Sequence, residues 1–426
     1  MSTTAQTLDA GPIVRNLAWI RDQFPALQLE VDGQPAIYFD GPGGTQVPQR
    51  VIDAISDYLV RSSSNTHGTF VTSRRTDATI AAAHAAIADL LGCDDDEVVF
   101  GANMTSLTFA MSRAIGRNLG AGDEVIVTTL DHDANVAPWR ALAEKGVTIR
   151  QVDVRPGACT LDMDDLAGKL NQRTKVVAVG FASNAVGTIN DVPAVIKLAH
   201  EVGALVYVDA VHYAPHMAID VRALDCDFLA CSTYKFFGPH MGAVYGKREH
   251  LQRLRPYKVR PASDATPDRW ETGTQNHEAL AGVSAAVSYI AELGLRIEPT
   301  VETRREALLA AYRAIHAYEK SLAERLIAGL LQIPGLTLYG ITDPTQFDRR
   351  TPTVAVRVEG HMPAELSTTL GDRGIFTWEG NYYAINLTER LGLEDKGGML
   401  RIGLVHYNTA GEVDRFLEEL RRIVAP

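Results

Sequence analysis

Between Tyr38 and Gly294 short apolar runs alternate with longer helical patterns, and no other feature restricts the fold as much. Seven strands are predicted, at 97–101, 124–129, 148–154, 175–182, 204–209, 227–232 and 243–246. Helices are predicted between them at 48–61, 77–91, 106–117, 135–145 and 192–202. Such alternation implies an α/β fold, a mostly parallel sheet with helices on both faces. In sheets of this kind ligands sit at the carboxyl ends of the strands. A helix at 278–293 closes this part. Beyond Arg296 the pattern changes to one long helical stretch, 301–331. Short strands at 337–339, 353–358 and 400–404 follow, with helices at 363–371 and 410–423. The expected organisation is an N-terminal arm (1–36) on the small domain, a large domain (37–295) and an α+β small domain (296–426), hinged near Gly294.

A chain of 426 residues can bury a large core and usually divides it between two domains. The net charge of −11, without a dense Lys/Arg run, argues against nucleic-acid binding. The four cysteines, Cys93, Cys159, Cys226 and Cys231, show neither zinc spacing nor a disulfide framework, so no metal and a reducing, cytoplasmic setting are expected. Neither a signal peptide nor a run of about eighteen apolar residues is visible, so no membrane role is expected.

Lys235 stands in Cys231-Ser232-Thr233-Tyr234-Lys235-Phe236-Phe237-Gly238-Pro239, where an apolar strand runs into an aromatic Gly-Pro turn. A lysine there needs a task for its amine. One strand earlier, Ala204-Leu205-Val206-Tyr207-Val208 ends in Asp209. The two residues suggest a Schiff-base site for pyridoxal 5′-phosphate, the amine holding the aldehyde and the carboxylate the pyridine nitrogen.

Further candidates lie at other strand ends. Gly101-Ala102-Asn103-Met104-Thr105-Ser106 opens a helix and offers free N–H groups and hydroxyls to an anion; a plain helix cap explains the same residues. Ser232 offers one more phosphate contact. His132 can stack over a planar ring or serve as a turn residue, and Asn184 can meet a ring hydroxyl or simply occupy a turn. Asp209 taken alone reads as a helix cap, and His212 as a loop histidine. Arg401, in an apolar strand, either clamps a substrate carboxylate or points to water from an edge strand. His67, with Arg74 or Arg75, can approach the site from a loop or stay solvated.

In this order along one chain, these residues resemble the class V aminotransferase superfamily of fold-type I pyridoxal-phosphate enzymes, in its cysteine desulfurase and selenocysteine lyase branch. The likeness runs from about Tyr38 to Val424. Asp131-His132-Asp133-Ala134-Asn135 is similar to the branch's Glu-His-His-Ala-Asn motif, which implies that His132 stacks on the cofactor and assists at Cα. Ser183-Asn184-Ala185-Val186-Gly187-Thr188 is similar to Ser-Asn-x-x-Gly-Thr. Val208-Asp209-Ala210-Val211-His212 resembles Val-Asp-Gly-Ala-Gln, which places Asp209 at the pyridine nitrogen and His212 where glutamine meets the ring oxygen. Ser232-Thr233-Tyr234-Lys235 matches Ser-x-His-Lys, with Tyr234 in place of the phosphate-binding histidine. Gly273-Thr274-Gln275-Asn276 resembles Gly-Thr-Pro-Asn, implying a homodimer in which Thr274 reaches the neighbouring subunit's phosphate. Leu400-Arg401-Ile402-Gly403 and Tyr407-Asn408-Thr409 resemble Arg-x-Ser and Tyr-Asn-Thr, making Arg401 the carboxylate clamp.

One departure bears on the reaction. Where the branch's desulfurases carry Gly-His-His-Cys-Ala, this chain has Gly380-Asn381-Tyr382-Tyr383-Ala384, and no cysteine follows Cys231. Transfer through an enzyme persulfide needs a thiolate, and a phenol cannot accept sulfane sulfur. The expected function is therefore a C–S or C–Se β-lyase acting without an enzyme persulfide, with Tyr383 among the substrate contacts. An epimerase of the isopenicillin N type and a transaminase are the alternatives. A pyridoxal-phosphate-binding scaffold for sulfur-carrier partners is the reading from another class.

Overall fold

The computed structural model describes residues 11–425. Seven strands form the main sheet: β1 (Val98–Gly101), β2 (Glu124–Thr128), β3 (Thr148–Val152), β4 (Thr174–Gly180), β5 (Leu205–Asp209), β6 (Phe228–Ser232) and β7 (Gly242–Gly246). Their spatial order is β1-β7-β6-β5-β4-β2-β3, with only β7 antiparallel to its neighbours. Helices cover both faces, so central strands such as β6, and β4 apart from Lys175, are buried and read as near-continuous apolar runs. All seven predicted strands are present.

A smaller four-stranded antiparallel sheet follows: β8 (Leu336–Tyr339), β9 (Thr353–Val358), β10 (Trp378–Gly380) and β11 (Met399–Gly403), in the order β8-β9-β11-β10. The helices used below are α1 (Pro12–Asp22), α2 (Gln49–Arg61), α3 (Val71–Leu91), α4 (Met104–Ile115), α5 (Val192–Glu201), α6 (His277–Ile297), α7 (Arg304–Leu330), α8 (Pro363–Asp372) and α9 (Ala410–Val424). Side-chain caps set several starts. Asn103 accepts from the Ser106 N–H to open α4, and Thr303 with Glu306 forms a capping box on α7.

The two lobes are not joined by a hinge at Gly294. Gly294 lies inside α6, where an added Cβ would stand 1.8 Å from the Ala307 carbonyl oxygen of α7. The glycine permits a close helix crossing, not a bend. α7 then serves both lobes: Ala307, Leu308, Ala311 and Ile315 pack into the main core, while Leu322, Leu326 and Leu330 pack into the small-lobe core. The arm touches the small lobe, as Arg21 pairs with Glu412 at 2.8 Å and Arg415 donates to the Pro35 carbonyl at 2.7 Å, but it is shared with the large one. Residues 1–10 of it lie outside the described residues, but Ile13, Ile20, Phe24 and Leu27 join the main core, and Phe24 meets Phe237 and Tyr289 edge to face.

Three smaller differences have local causes. α3 begins at Val71, six residues before its predicted start at 77, because the Thr/Ser/Arg stretch is helical although little of it is apolar. The predicted helix 135–145 splits into Ala137–Arg140 and a 3-10 segment, Ala141–Lys145, ended by Gly146 at φ 82. α6 is long and apolar enough to cross a membrane by length and composition, yet Val283, Ala286, Val287 and Ile290 bury it in the core.

Candidate active site

The carboxyl ends of the parallel strands open into a cavity of about 600 Å³. Lys235, Asp209, His132, His212, Asn184, Met104, Thr105, Ser232, Tyr234, Tyr383 and Arg401, each singled out in the sequence, all line it. Their convergence follows from topology, since each lies at or just past a strand end or on the small lobe's facing strand.

Lys235 ends the short 3-10 turn Thr233–Lys235 after β6 and is 8% exposed. Its Nζ donates to the Pro42 carbonyl and lies 4.8 Å over the Tyr234 ring. Burial, with help from the Arg401 charge, pulls this amine down to about 7, so a large share is neutral and nucleophilic near neutral pH. Asp209, at the end of β5, is buried; its Oδ1 accepts from the Val211 N–H at 2.9 Å. Burial raises this acid to about 6, although that hydrogen bond and Lys235 favour its charged form. A cationic group held against Asp209 would restore it to the anion.

His132 stacks on Tyr383, with ring centroids 5.4 Å apart and planes 23° from parallel. Its Nδ1 accepts from the Ala134 N–H at 3.0 Å, and burial lowers it to about 4, so the ring is neutral. Asp131 beside it is fully enclosed, holds the Gly180 N–H and stays high in pKa through burial. His212 Nε2 lies 3.1 Å from Thr351 Oγ1 of the small lobe.

The small lobe supplies the other wall. β11 lies between β9 and β10, so the edge-strand option for Arg401 is excluded. Arg401 is 4% exposed, donates from Nη1 to the Asn184 carbonyl at 2.9 Å and lies 4.2 Å over the Tyr382 ring. Its buried Nε has no partner, and burial lowers the group to about 10. Asn184 Nδ2 donates to the Tyr382 carbonyl at 2.9 Å, and the Asp133 N–H donates to that of Tyr383 at 2.7 Å. These two bonds tie the 380–384 loop to the strand ends of the large lobe. Tyr382 and Tyr383 both have left-handed backbones, at φ 53 and 60, an uncommon state for aromatic residues.

Two candidates are not brought to the cavity. His67 is exposed on its loop, where its N–H donates to Asp77 Oδ1 at 3.0 Å, and it does not line this cavity. Thr274 lines a separate cavity with Ser106 and Asn276. Sequence reasoning missed Pro42 and Gly43, which reach the site because Phe39 and Gly403 share a main-chain hydrogen bond. A side chain at Gly43 would collide with Trp378, 2.3 Å away. The Gly41-Pro42-Gly43-Gly44 run after a short apolar strand was the available signal. Asp40 was missed as well; its buried Oδ1 has no partner, and burial raises it to about 6.

The residues fit pyridoxal phosphate. Asn184 and Arg401 line this space, and each has a buried polar atom without a partner, Oδ1 and Nε. The first turn of α4 presents Met104 and Thr105 to the same cavity, where helix N–H groups lack intrahelical acceptors. An added Cβ at Gly242 would lie 2.4 Å from the Asn103 carbonyl carbon, so glycine lets β7 come close beneath that turn.

The sequence model of the Aminotransferase class-V family matches residues 37–416. A protein named cysteine desulfurase from Synechococcus elongatus is 35% identical over 430 residues, covering 97% of this chain but 64% of that protein, less than two thirds of its length. One of the same name from Klebsiella pneumoniae is 32% identical over 421 residues, covering 95% of this chain and 97% of its own. The apo structure of a cysteine desulfurase from Thermococcus onnurineus NA1 superposes with a TM-score of 0.84 at 27% identity, covering 96% of this chain and 98% of that one.

Proposed function

The chain belongs to the class-V aminotransferase family, and from that premise we propose that it is a pyridoxal-phosphate-dependent, cysteine desulfurase-like enzyme acting at Cα of an amino acid. Its reaction in this reading is β-elimination from a sulfur- or selenium-bearing substrate, without an enzyme persulfide. One observation carries the second half: the 380–384 loop brings the phenol of Tyr383 to the cavity, stacked on His132, and none of the four cysteines lines that cavity. Burial raises the Cys159 thiol to about 11 and that of Cys231 to about 12, so neither supplies a thiolate at neutral pH.

Lys235, Asp209, His132, His212, Asn184, Ser232, Tyr234 and the start of α4 would hold the cofactor. When bound, pyridoxal phosphate supplies an electron sink for the pair left at Cα. Arg401, which lines the cavity from the small lobe, would bind the substrate carboxylate through its guanidinium. Once released from the cofactor, Lys235 is a buried amine that can take the α-proton, and its depressed pKa suits a general base near neutral pH. His132 covers this space as a neutral ring and excludes water. A homodimer in which Thr274 completes the neighbouring site, and a cytoplasmic setting, belong to the same reading.

The test is a panel of amino acids scored for elimination, racemisation and transamination. The expected outcome is pyruvate, ammonia and a sulfur product from cysteine, cystine or an S-substituted cysteine. Mass spectrometry of the intact protein should show no added sulfur. A cysteine persulfide formed during turnover would overturn the assignment built on Tyr383. Cofactor binding without turnover of any amino acid would favour the scaffold reading.

A further inference from the structure

Behind His212 lies a pair that the proposed reaction does not use. His216 and Glu319 are 2% and 1% exposed, and His216 Nδ1 lies 2.8 Å from Glu319 Oε2. The turns after β5 place His212 and His216 four residues apart, so their rings meet edge to face at 5.3 Å and 74°. On its other side His212 Nε2 meets Thr351 Oγ1, and that hydroxyl donates to the Gly187 carbonyl at 3.3 Å. If that hydroxyl proton goes to Gly187, Thr351 can only accept from His212, and the Nδ1 of a neutral ring keeps its lone pair.

We propose that Glu319 and His216 are positioning residues for His212, their edge-to-face contact fixing the orientation in which the tautomer set by Thr351 is presented to the cavity. This rests on the reading of the cavity as the cofactor site. A buried acid–imidazole pair contributes little stability once its desolvation is counted; its effect lies in fixing direction. Glu319 sits on α7, which packs into both lobes, and Thr351 sits on the small lobe. His212 is therefore held from both lobes at once. The charged and titratable groups around the set are Lys235 and Arg401 toward His212, His316 and His406 toward His216, and Tyr312 and Tyr318 toward Glu319. His406 is itself bonded through Nε2 to the Tyr289 hydroxyl at 2.7 Å.

The test is ¹⁵N-histidine NMR on cofactor-free wild type, Glu319→Gln and His216→Gln, joined to cofactor dissociation rates and the pH profile of kcat/KM. Glu319→Gln keeps the shape and removes the titratable acid. In protein that melts like the wild type, the His212 nitrogen shifts should change, cofactor release should quicken about tenfold, and the acid limb should move by about one pH unit. Glu319→Asp should restore part of each. If the Gln variants fail to fold, Thr351→Val removes the opposite hold on His212 and should alter the same nitrogen shifts. Unchanged His212 shifts in folded Glu319→Gln, or in folded Thr351→Val, would overturn the proposal. A wild type that binds no pyridoxal phosphate would instead defeat the functional reading, while the shifts of the cofactor-free protein still decide this one.

Discussion

The floor and the rim of the cavity are built differently. On the floor Asp209 ends one parallel strand and Lys235 follows the next, and both are held by neighbouring main chain. The rim, 378–383 and 394–398, joins β10, a short 3-10 segment and the loops beside them, and there Gly380, Tyr382, Tyr383, Gly397 and Gly398 all have left-handed backbones. Tyr383 is 72% exposed there, whereas Lys235 is 8% exposed. A rigid sheet suits groups that must meet reacting atoms to within about half an ångström. A strained turn, costing about 1–3 kcal/mol per non-glycine residue, persists where its side chains have a use. In the proposed reading, chemistry belongs to the floor and choice of substrate to the rim.

The largest effect should come from the floor. Lys235→Ala should abolish covalent attachment of the cofactor after borohydride reduction, and turnover should fall about a thousandfold or more. Attachment at another lysine would break the comparison at its base. Arg401 joins the two regions, since it rises from the small lobe and donates to Asn184 of the large one. Arg401→Lys should lower kcat/KM about a hundredfold, mainly through KM, because an ammonium cannot reproduce the two-pronged grip on a carboxylate. A loss confined to kcat would remove it from substrate binding.

Rim changes should be milder and of a different kind. Tyr383→Ala should change kcat/KM by about tenfold or less and reorder the substrate panel, with cofactor affinity untouched. Tyr383→Cys sharpens the point, because a persulfide formed only in this variant would show that the loop can deliver a thiol to the reacting atoms. The smallest effect concerns pH. Lys235 loses its proton near pH 7, so capture of pyridoxal phosphate by the cofactor-free protein should quicken several-fold from pH 6 to 8 and then level off, followed by absorbance. A rate still climbing at pH 10 would mean that the amine is solvated.

The floor was legible because its signals are local. A strand in a parallel sheet shows as an apolar run, and a charged residue just past it, such as Asp209 or Lys235, marks the face where ligands sit. Gly294 was misread for the opposite reason. A glycine looks the same in sequence whether it supplies flexibility or lets two helices touch, and only the Ala307 carbonyl beside it distinguishes the two. Pro42 and Gly43 escaped notice because their role depends on a pairing between residues more than 350 positions apart in the chain.

Amino-acid order by itself determined the sheet, the lysine–acid pair at adjacent strand ends and the arginine in a second lobe, since periodicity and residue chemistry act over a few neighbours. Tertiary structure alone decided that Tyr383 lies against His132, that Asn184 ties Arg401 and Tyr382 to the strand ends, and that Glu319 stands behind His212. Those contacts join segments separated by about 100 to 250 residues, and no local pattern specifies which distant surfaces burial will bring together.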